Sequence, residues 1–232
     1  MRKILKNIIN RAGFEVRRKN KSAIINHKEI AFLHIGKNAG TQIMNVARQL
    51  TDHGVNIRNL GHNVKLFQLP SDISYFFSVR KPESRFVSGF YSRKRKGQPA
   101  YNYEWSMHEK VAFNLFEDAT DLAENLFSDS LRGEQARNAI KSISHTGMQQ
   151  VDWFQGCAFL DQQPPLTITR QENFISDMQR LLTILNVDID VTTMIASDNK
   201  SAHRNDYSNF LGLSDLALKN LKEWYIQDYY FY

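Results

Sequence analysis

The stretch AFLHIGKNAGTQ, residues 31–42, constrains the fold more than any other part of the sequence. An apolar run typical of a buried strand leads into a short turn bounded by Gly36 and Gly40, and a helical pattern follows from Thr41 to residue 50. Lys37 lies inside the turn. The N–H groups and the dipole at a helix start attract anions, so the stretch predicts a strand, an anion-binding turn and a helix.

The rest of the chain alternates between strand and helix patterns in the same way. Strands are predicted at residues 30–35, 75–79 and 166–169, and helices at residues 41–50, from Pro82, at residues 105–126, 132–143 and 174–185, and after an N-cap at Ser214. This alternation predicts an α/β domain of three layers, with a central, mostly parallel sheet flanked by helices. Ligands of such sheets bind beyond the carboxyl ends of the strands, where the turn and Arg80 both fall.

Composition indicates one folded domain with a basic extension. A chain of 232 residues, 42% of them hydrophobic, can bury the core of one α/β domain. Residues 1–21 contain eight lysines and arginines against Glu15 alone, whereas the formal net charge of the whole chain is +6. We therefore divide the chain into a basic amphipathic segment, residues 1–21, and a single domain, residues 22–232.

The basic segment allows two interpretations. It can dock on the domain as a surface helix, or it can make a weak contact with an anionic membrane surface. It lacks the features of a secretory signal, and no stretch reaches the ~18 apolar residues of a membrane span, so we expect a cytoplasmic protein, peripheral to a membrane in the second case. Few aromatic residues accompany the basic ones, which argues against nucleic-acid binding. The sequence does not indicate an oligomeric state.

No metal site is expected from the sequence. Cys157 is the only cysteine, so thiolate clusters and an intrachain disulfide are excluded. The seven histidines lie far apart along the chain, with no pair at ligand spacing on one helix.

The lysine turn is not a Walker A loop. That motif has a glycine five residues before the Gly of its Gly-Lys pair and a serine or threonine directly after the lysine, where this chain has Ala31 and Asn38. The turn therefore suits an anion that reacts without a metal. By itself it is equally compatible with a plain strand-to-helix connection and a solvated lysine.

A second stretch, YFFSVRKPESRFVSGFYSRKR at residues 75–95, supports the anion interpretation. It places Arg80 at the end of a strand and Ser88 on the helix that follows. A guanidinium and a hydroxyl that converge in this way can hold a phosphate group. A salt-bridged surface helix is the alternative.

Together, the two stretches resemble the cofactor motifs of sulfotransferases that use 3′-phosphoadenosine 5′-phosphosulfate (PAPS), and most closely those of the carbohydrate, or polysaccharide, branch. The later stretches LTITRQENFISDMQRLLTIL, DNKSAHRNDY and DYYFY extend the resemblance from about residue 30 to the end of the chain. Lys81 and the pair Asn38-Ala39 depart from the commoner residues of the family. The resemblance implies the P-loop NTPase-like sulfotransferase fold and sulfuryl transfer from PAPS to an acceptor hydroxyl, that of a saccharide in this branch.

The resemblance also implies roles for individual residues. The lysine turn would bind the 5′-phosphosulfate, the Arg80–Ser88 pair would bind the 3′-phosphate, and a late loop would close over it. The implied cofactor-binding residues are Gly36, Lys37, Asn38, Ala39, Gly40, Thr41, Gln42, Arg80, Ser88, Lys200 and Ser201. Lys37 would also be catalytic, because its charge can neutralise the leaving phosphate. The pocket walls are expected from loops at residues 93–105 and 144–156.

An acceptor hydroxyl must lose a proton, and His62 is our candidate for the base. It lies in LGHNVKLFQLP and resembles a histidine in this region of uronyl and related polysaccharide sulfotransferases. Imidazole can titrate near neutral pH. A surface-loop histidine without a catalytic role is equally compatible, Glu109 is the chief competitor, and Asp52-His53 is a weaker one.

Two other classes of function remain open at this point. One is a metal-dependent P-loop nucleotide kinase or NTPase, which the residue after Lys37 argues against. The other is a non-catalytic module that binds a saccharide or a membrane surface and retains only the shape of the turn.

Overall fold

The computed structural model describes residues 28–196 and 210–232. Within them, four strands form one sheet in the order β2-β1-β3-β4, with every neighbouring pair parallel. The strands are β1 (Lys28–Leu33), β2 (Val55–Asn59), β3 (Tyr75–Val79) and β4 (Ile168–Arg170). Because the strands run the same way, their carboxyl ends share one rim.

Helices cover both faces of this sheet. The described part of the chain has ten of them: α1 (Gly40–Leu50), α2 (Pro82–Lys94), α3 (Met107–Leu115), α4 (Ala119–Glu124), α5 (Leu131–Ser142), α6 (Cys157–Gln162), α7 (Phe174–Ile184), α8 (Val191–Ala196), α9 (Asp215–Trp224) and α10 (Ile226–Phe231). Short 3₁₀ helices occur at Thr51–His53, Leu66–Gln68, Gln150–Trp153 and Gln171–Asn173. The predicted α/β class with a central sheet is confirmed, and the sheet is entirely parallel.

Three hydrophobic clusters hold the layers together. On one face, Phe32 and Phe76 of the sheet pack with residues of α1, α7 and α8. On the other face, Phe77 packs with Phe154 and with Phe231 of α10. A third cluster joins α2 to α3, α4, α5 and α9. The α2 helix, which begins just after β3, is therefore anchored by the helical layer at its side.

Two features of the fold differ from the sequence prediction. Strand β2 was not predicted, because it lies at the sheet edge and only Val55 and Ile57 are buried, too short an alternation to stand out. The helix predicted at residues 105–126 is two helices, α3 and α4. Asp118 ends the continuous pattern, since its carboxylate accepts bonds from the N–H groups of Thr120 and Asp121 and caps α4.

Other local predictions are confirmed with small shifts. Strand β1 begins two residues earlier than predicted and ends at Leu33, whereas β3 has the predicted bounds. Ser214 caps α9 by accepting a bond from the N–H group of Ala217. No helix in residues 28–196 and 210–232 is long and apolar enough to cross a membrane. The predicted basic segment, residues 1–21, and Lys200 and Ser201 lie outside the described residues.

A buried ion pair joins α2 to α3. Arg93 donates to both carboxylate oxygens of Glu109, Nε to Oε1 at 2.7 Å and Nη2 to Oε2 at 2.8 Å. Burial by itself would raise the pKa of Glu109. The hydrogen bonds from Arg93 and from the N–H groups of Ser106 and Ser144 outweigh this effect and lower the pKa to about 2. Glu109 is therefore a structural anion and not the catalytic base that the sequence allowed.

We expect Glu109→Gln to lower the free energy of unfolding by about 3 kcal/mol, because it leaves the Arg93 charge buried without its partner. Urea denaturation measures this change. The control is Glu104→Gln, which removes an exposed ion pair with Lys96 and should cost less than about 1 kcal/mol. Equal losses in the two variants would contradict a structural role for the buried pair.

Candidate functional site

The turn between β1 and α1 has an unusual backbone conformation. Lys37 and Ala39 have φ angles of 71° and 60°, in the left-handed region that residues with side chains seldom occupy. Ala39 is the N-cap of α1 but offers it no side-chain acceptor, so the first N–H groups of this helix have no partner within it. Such strain is concentrated at functional sites and fits a turn that presents N–H groups and a lysine together.

The two glycines of the turn are required by close packing. Neither has a positive φ, so the conformational freedom of glycine is not the reason for it at these positions. A Cβ atom on Gly40 would lie 1.8 Å from Nε2 of His34, and one on Gly36 would lie 2.9 Å from Nδ1 of His145. Glycine is needed at both positions because two imidazole rings press against the turn.

Asn38 fastens the turn to the sheet. Its buried Nδ2 donates to the carbonyl oxygen of Ser78 on β3 at 2.8 Å and to Oε1 of Gln150 at 2.7 Å. The Asn38 side chain therefore points into the protein. Any contact that Asn38 makes with a cofactor would come from its backbone.

Arg80 follows β3 directly and lies against the same turn. Its Nε donates to Oγ of Ser84 at 2.8 Å, and its Nη1 lies 3.4 Å from the carbonyl oxygen of Lys37. Its own N–H and C=O groups both bond to the side chain of Gln150, at 2.9 and 2.8 Å. The two predicted anion motifs are thus adjacent in the fold.

A cavity of about 370 Å³ opens at this rim of the sheet. It is lined by the predicted residues Lys37, Ala39, Gly40, Thr41, Gln42, His62, Arg80 and Ser88. Gly36 and Asn38 do not line it. Arg95, Gly97, Tyr101 and His145 line it from the two loops expected to form the walls, while Gln42, Val46, Met194 and Ile195 form another side.

The charged side chains of the described residues that line the cavity are all positive. Lys37, Arg80 and Arg95 line it, and no aspartate or glutamate of the described residues does. Burial, together with Arg80, Arg95 and Arg85, lowers the pKa of Lys37 to about 8. A bound anion would reverse this effect, so the arrangement suits a ligand with more than one negative group.

Three histidines stand together at the cavity. The ring centroid of His62 lies 4.0 Å from that of His34 and 5.9 Å from that of His145. Of these three, only His62 was a candidate base from the sequence. His145 comes from a loop 83 residues beyond His62 along the chain, and no local pattern marks it, so only the folded structure shows that it belongs here.

The hydrogen bonds of His62 define its proton-accepting atom. Its Nδ1 lies 3.2 Å from the carbonyl oxygen of His34, and a carbonyl can only accept, so Nδ1 carries the hydrogen and Nε2 holds the lone pair. Burial lowers the pKa of His62, helped by Lys37 and Arg85 and opposed by the bond to His34. The imidazole is therefore neutral at pH 7, as a general base must be. Nε1 of Trp153 donates to the His62 carbonyl oxygen at 3.0 Å and holds this loop in place.

The other residues considered as bases or site residues lie elsewhere. Glu109 is bound to Arg93, and Asp52 and His53 are exposed on a 3₁₀ helix without lining the cavity. Within residues 28–196 and 210–232, no group of three or more His, Cys, Asp or Glu side chains is arranged to hold a metal ion.

The partly buried residues His34 and His145 should make the fold less stable in acid. Burial, with Lys37 and His62, lowers the pKa of His145 to about 3, and burial, with His62, lowers that of His34 to about 4, both from 6.5. Below pH ~6.5 the unfolded chain binds protons that the folded chain does not, so the free energy of unfolding falls by up to ~1.4 kcal/mol per pH unit for each histidine.

We expect His145→Asn, a residue that tolerates positive φ, to flatten this dependence between about pH 6.5 and about pH 4. Urea denaturation at several pH values measures the slope. The exposed His53 provides the control, and His53→Asn should keep the wild-type slope. A wild-type slope in His145→Asn would show that His145 is not held neutral by the fold.

The chain is similar to a known protein family over most of its length. A family model described as the sulfotransferase family matches residues 21–232, which include the lysine turn, Arg80 and the whole of the described sheet. The comparison with curated proteins gave no match. An all-parallel sheet flanked by helices, with the lysine turn after its first strand, fits this family, and the resemblance found in the sequence motifs is confirmed at the level of the family. The chain therefore belongs to the sulfotransferase family.

Proposed function

We propose that the protein transfers the sulfuryl group of PAPS to a hydroxyl group of a saccharide. Membership of the family supports sulfuryl transfer in general. The observation that carries the choice of donor is the cavity wall at which the cations Lys37, Arg80 and Arg95 converge. PAPS has anionic groups at both ends, a 5′-phosphosulfate and a 3′-phosphate, and this wall presents cations from two separate elements.

Each end of the donor has a matching set of residues. Lys37 and the first turn of α1, with the Thr41 hydroxyl, would hold the 5′-phosphosulfate. Arg80 and Ser88 would hold the 3′-phosphate, with Ser84 orienting the guanidinium through its 2.8 Å contact with Nε. The apolar side chains of Val46, Met194 and Ile195, which also line the cavity, offer an uncharged surface for the adenine ring.

The chemistry follows from this placement. The bond between sulfur and the bridging phosphate oxygen breaks, and a bond between sulfur and the acceptor oxygen forms. The acceptor proton passes to Nε2 of His62, and the electron pair of the broken bond stays on adenosine 3′,5′-bisphosphate. Lys37 stabilises the charge that develops on this leaving group, so its contribution is largest in the transition state.

A saccharide acceptor is supported by two features. The sequence motifs most resemble those of the carbohydrate branch. At the cavity wall, Tyr101 is 47% exposed, and its ring lies so close to Gly97 that a Cβ atom there would be 1.9 Å from the ring. An aromatic ring fixed in this way and open to solvent is suited to stack on the apolar face of a sugar.

Nucleotide binding tests the donor site. Isothermal titration calorimetry with adenosine 3′,5′-bisphosphate should show binding that does not need magnesium and is tighter than the binding of AMP. Arg80→Ala should remove most of this preference, by about tenfold to a hundredfold, because a charge-assisted contact contributes about 1.5–3 kcal/mol. Ser88→Ala should reduce it less.

The control for Arg80 is Arg58→Ala, which removes a largely exposed arginine that pairs with Glu29 on neighbouring strands and should leave nucleotide affinity unchanged. Preference for ATP with magnesium would instead support a kinase or NTPase. The absence of any nucleotide binding would support a non-catalytic module. Either result contradicts the proposed donor.

The pH dependence of kcat/KM tests the assignment of His62 and Lys37. His62 must be neutral, so activity is lost as the pH falls through its pKa, which lies below 6.5. Lys37 must be charged, so activity is lost as the pH rises through about 8. We expect a bell-shaped profile in an assay of labelled sulfate transfer from PAPS to a mixed saccharide pool.

Variants separate the two limbs of this profile. His62→Ala should lower kcat by about a hundredfold or more with nearly unchanged bisphosphate affinity, whereas His53→Ala should be fully active. Lys37→Ala should lose most turnover, together with the alkaline limb. Full activity of His62→Ala would reject it as the base, and full activity of Lys37→Ala would reject the sulfotransferase mechanism proposed for this turn.

A further inference from the structure

One short segment, residues 148–153, bonds to the lysine turn, to Arg80 and to the loop that carries His62. None of its residues lines the cavity. The carbonyl oxygen of Met148 accepts a bond from Nη1 of Arg85 at 2.8 Å, and Nε of the same arginine donates to the carbonyl oxygen of Gly36 at 3.0 Å. At the other end of the segment, Trp153 bonds to the His62 loop.

Gln150 makes the most informative contacts of this segment. Its side chain is buried, and its Oε1 accepts from Nδ2 of Asn38 at 2.7 Å and from the N–H of Arg80 at 2.9 Å. Its Nε2 donates to the carbonyl oxygen of Arg80 at 2.8 Å. One primary amide therefore ties the lysine turn to the residue that follows β3, and only a side chain with both acceptor and donor atoms can do so.

Asp228 of α10 holds Gln150 in position. Its two carboxylate oxygens accept bonds from the N–H groups of Gln150 and Val151 at 2.8 and 2.9 Å. This carboxylate is 1% exposed. The C-terminal helix is thereby connected to the lysine turn and to Arg80 through a single glutamine.

We infer that Gln150 is a positioning residue of the donor site, which sets the separation between the lysine turn and Arg80. This inference rests on the proposed function, since a ligand with anions at both ends needs the two elements in register. A ligand with one phosphate needs only one of them. The local contacts of each end, Arg85 to Gly36 and Ser84 to Arg80, do not involve Gln150, so each end retains its own support when the amide is removed.

The test is Gln150→Met, which keeps the length of the side chain and removes its hydrogen bonds. We expect the Kd for adenosine 3′,5′-bisphosphate to rise about tenfold, while that for AMP changes by about twofold at most. In turnover, the KM for PAPS should rise and the KM for the saccharide acceptor should stay the same. A purely structural role would change thermal stability without changing the ratio of the two nucleotide affinities.

Val151→Ala is the matched control, because it removes buried packing from the same segment and keeps the backbone N–H that bonds to Asp228. It should lower the Tm and leave the affinity ratio at the wild-type value. Asp228→Asn, which loses one acceptor oxygen, should show a smaller change of the same kind as Gln150→Met and carries the test if that variant does not fold.

These measurements distinguish a failure of the proposed function from a failure of the positioning role. A wild-type protein that does not prefer the bisphosphate to AMP overturns the proposed function, and the positioning role falls with it. If the wild-type protein has that preference and the folded Gln150 or Asp228 variants keep the same affinity ratio, the positioning role alone is overturned.

Discussion

The parallel pairing of β1 with β3 is the constraint on which the site depends. Ala31 lies opposite Tyr75 in this register, so the lysine turn after β1 and Arg80 after β3 emerge at the same rim although they are more than forty residues apart along the chain. The bond from Asn38 to the Ser78 carbonyl then fixes the turn to the neighbouring strand. An antiparallel partner beside β1 would send its following loop to the opposite edge.

Electrostatics give this rim its chemical character. Burial and the surrounding arginines lower the pKa of Lys37 to about 8, and burial keeps the neighbouring histidines neutral. Both effects prepare the site for an anion: the lysine gains from a negative partner, and a neutral His62 can take a proton. His34 and His145 also pack tightly against Gly40 and Gly36 of the turn. The same histidines therefore contribute to the electrostatics of the site and restrict the backbone of the turn.

Much of this arrangement could be predicted from the sequence, because local signals carry it. The turn, the strand before Arg80 and the proline that opens the next helix are each encoded within about ten residues. His145 and Gln150 could not be predicted, because their roles depend on a distant loop packing behind the rim. The environment of Glu109, the alternative base, could not be predicted either, since the sequence does not show that Arg93 of the preceding helix binds it in a buried ion pair.

A crystal structure with adenosine 3′,5′-bisphosphate bound would show directly whether one rim of the sheet holds both ends of the donor. We expect the 3′-phosphate within hydrogen-bonding distance of Arg80 and Ser88, and the 5′-phosphate at Lys37 and the start of α1. A nucleotide bound elsewhere, or one with its two phosphates exchanged between these residues, would contradict this expectation.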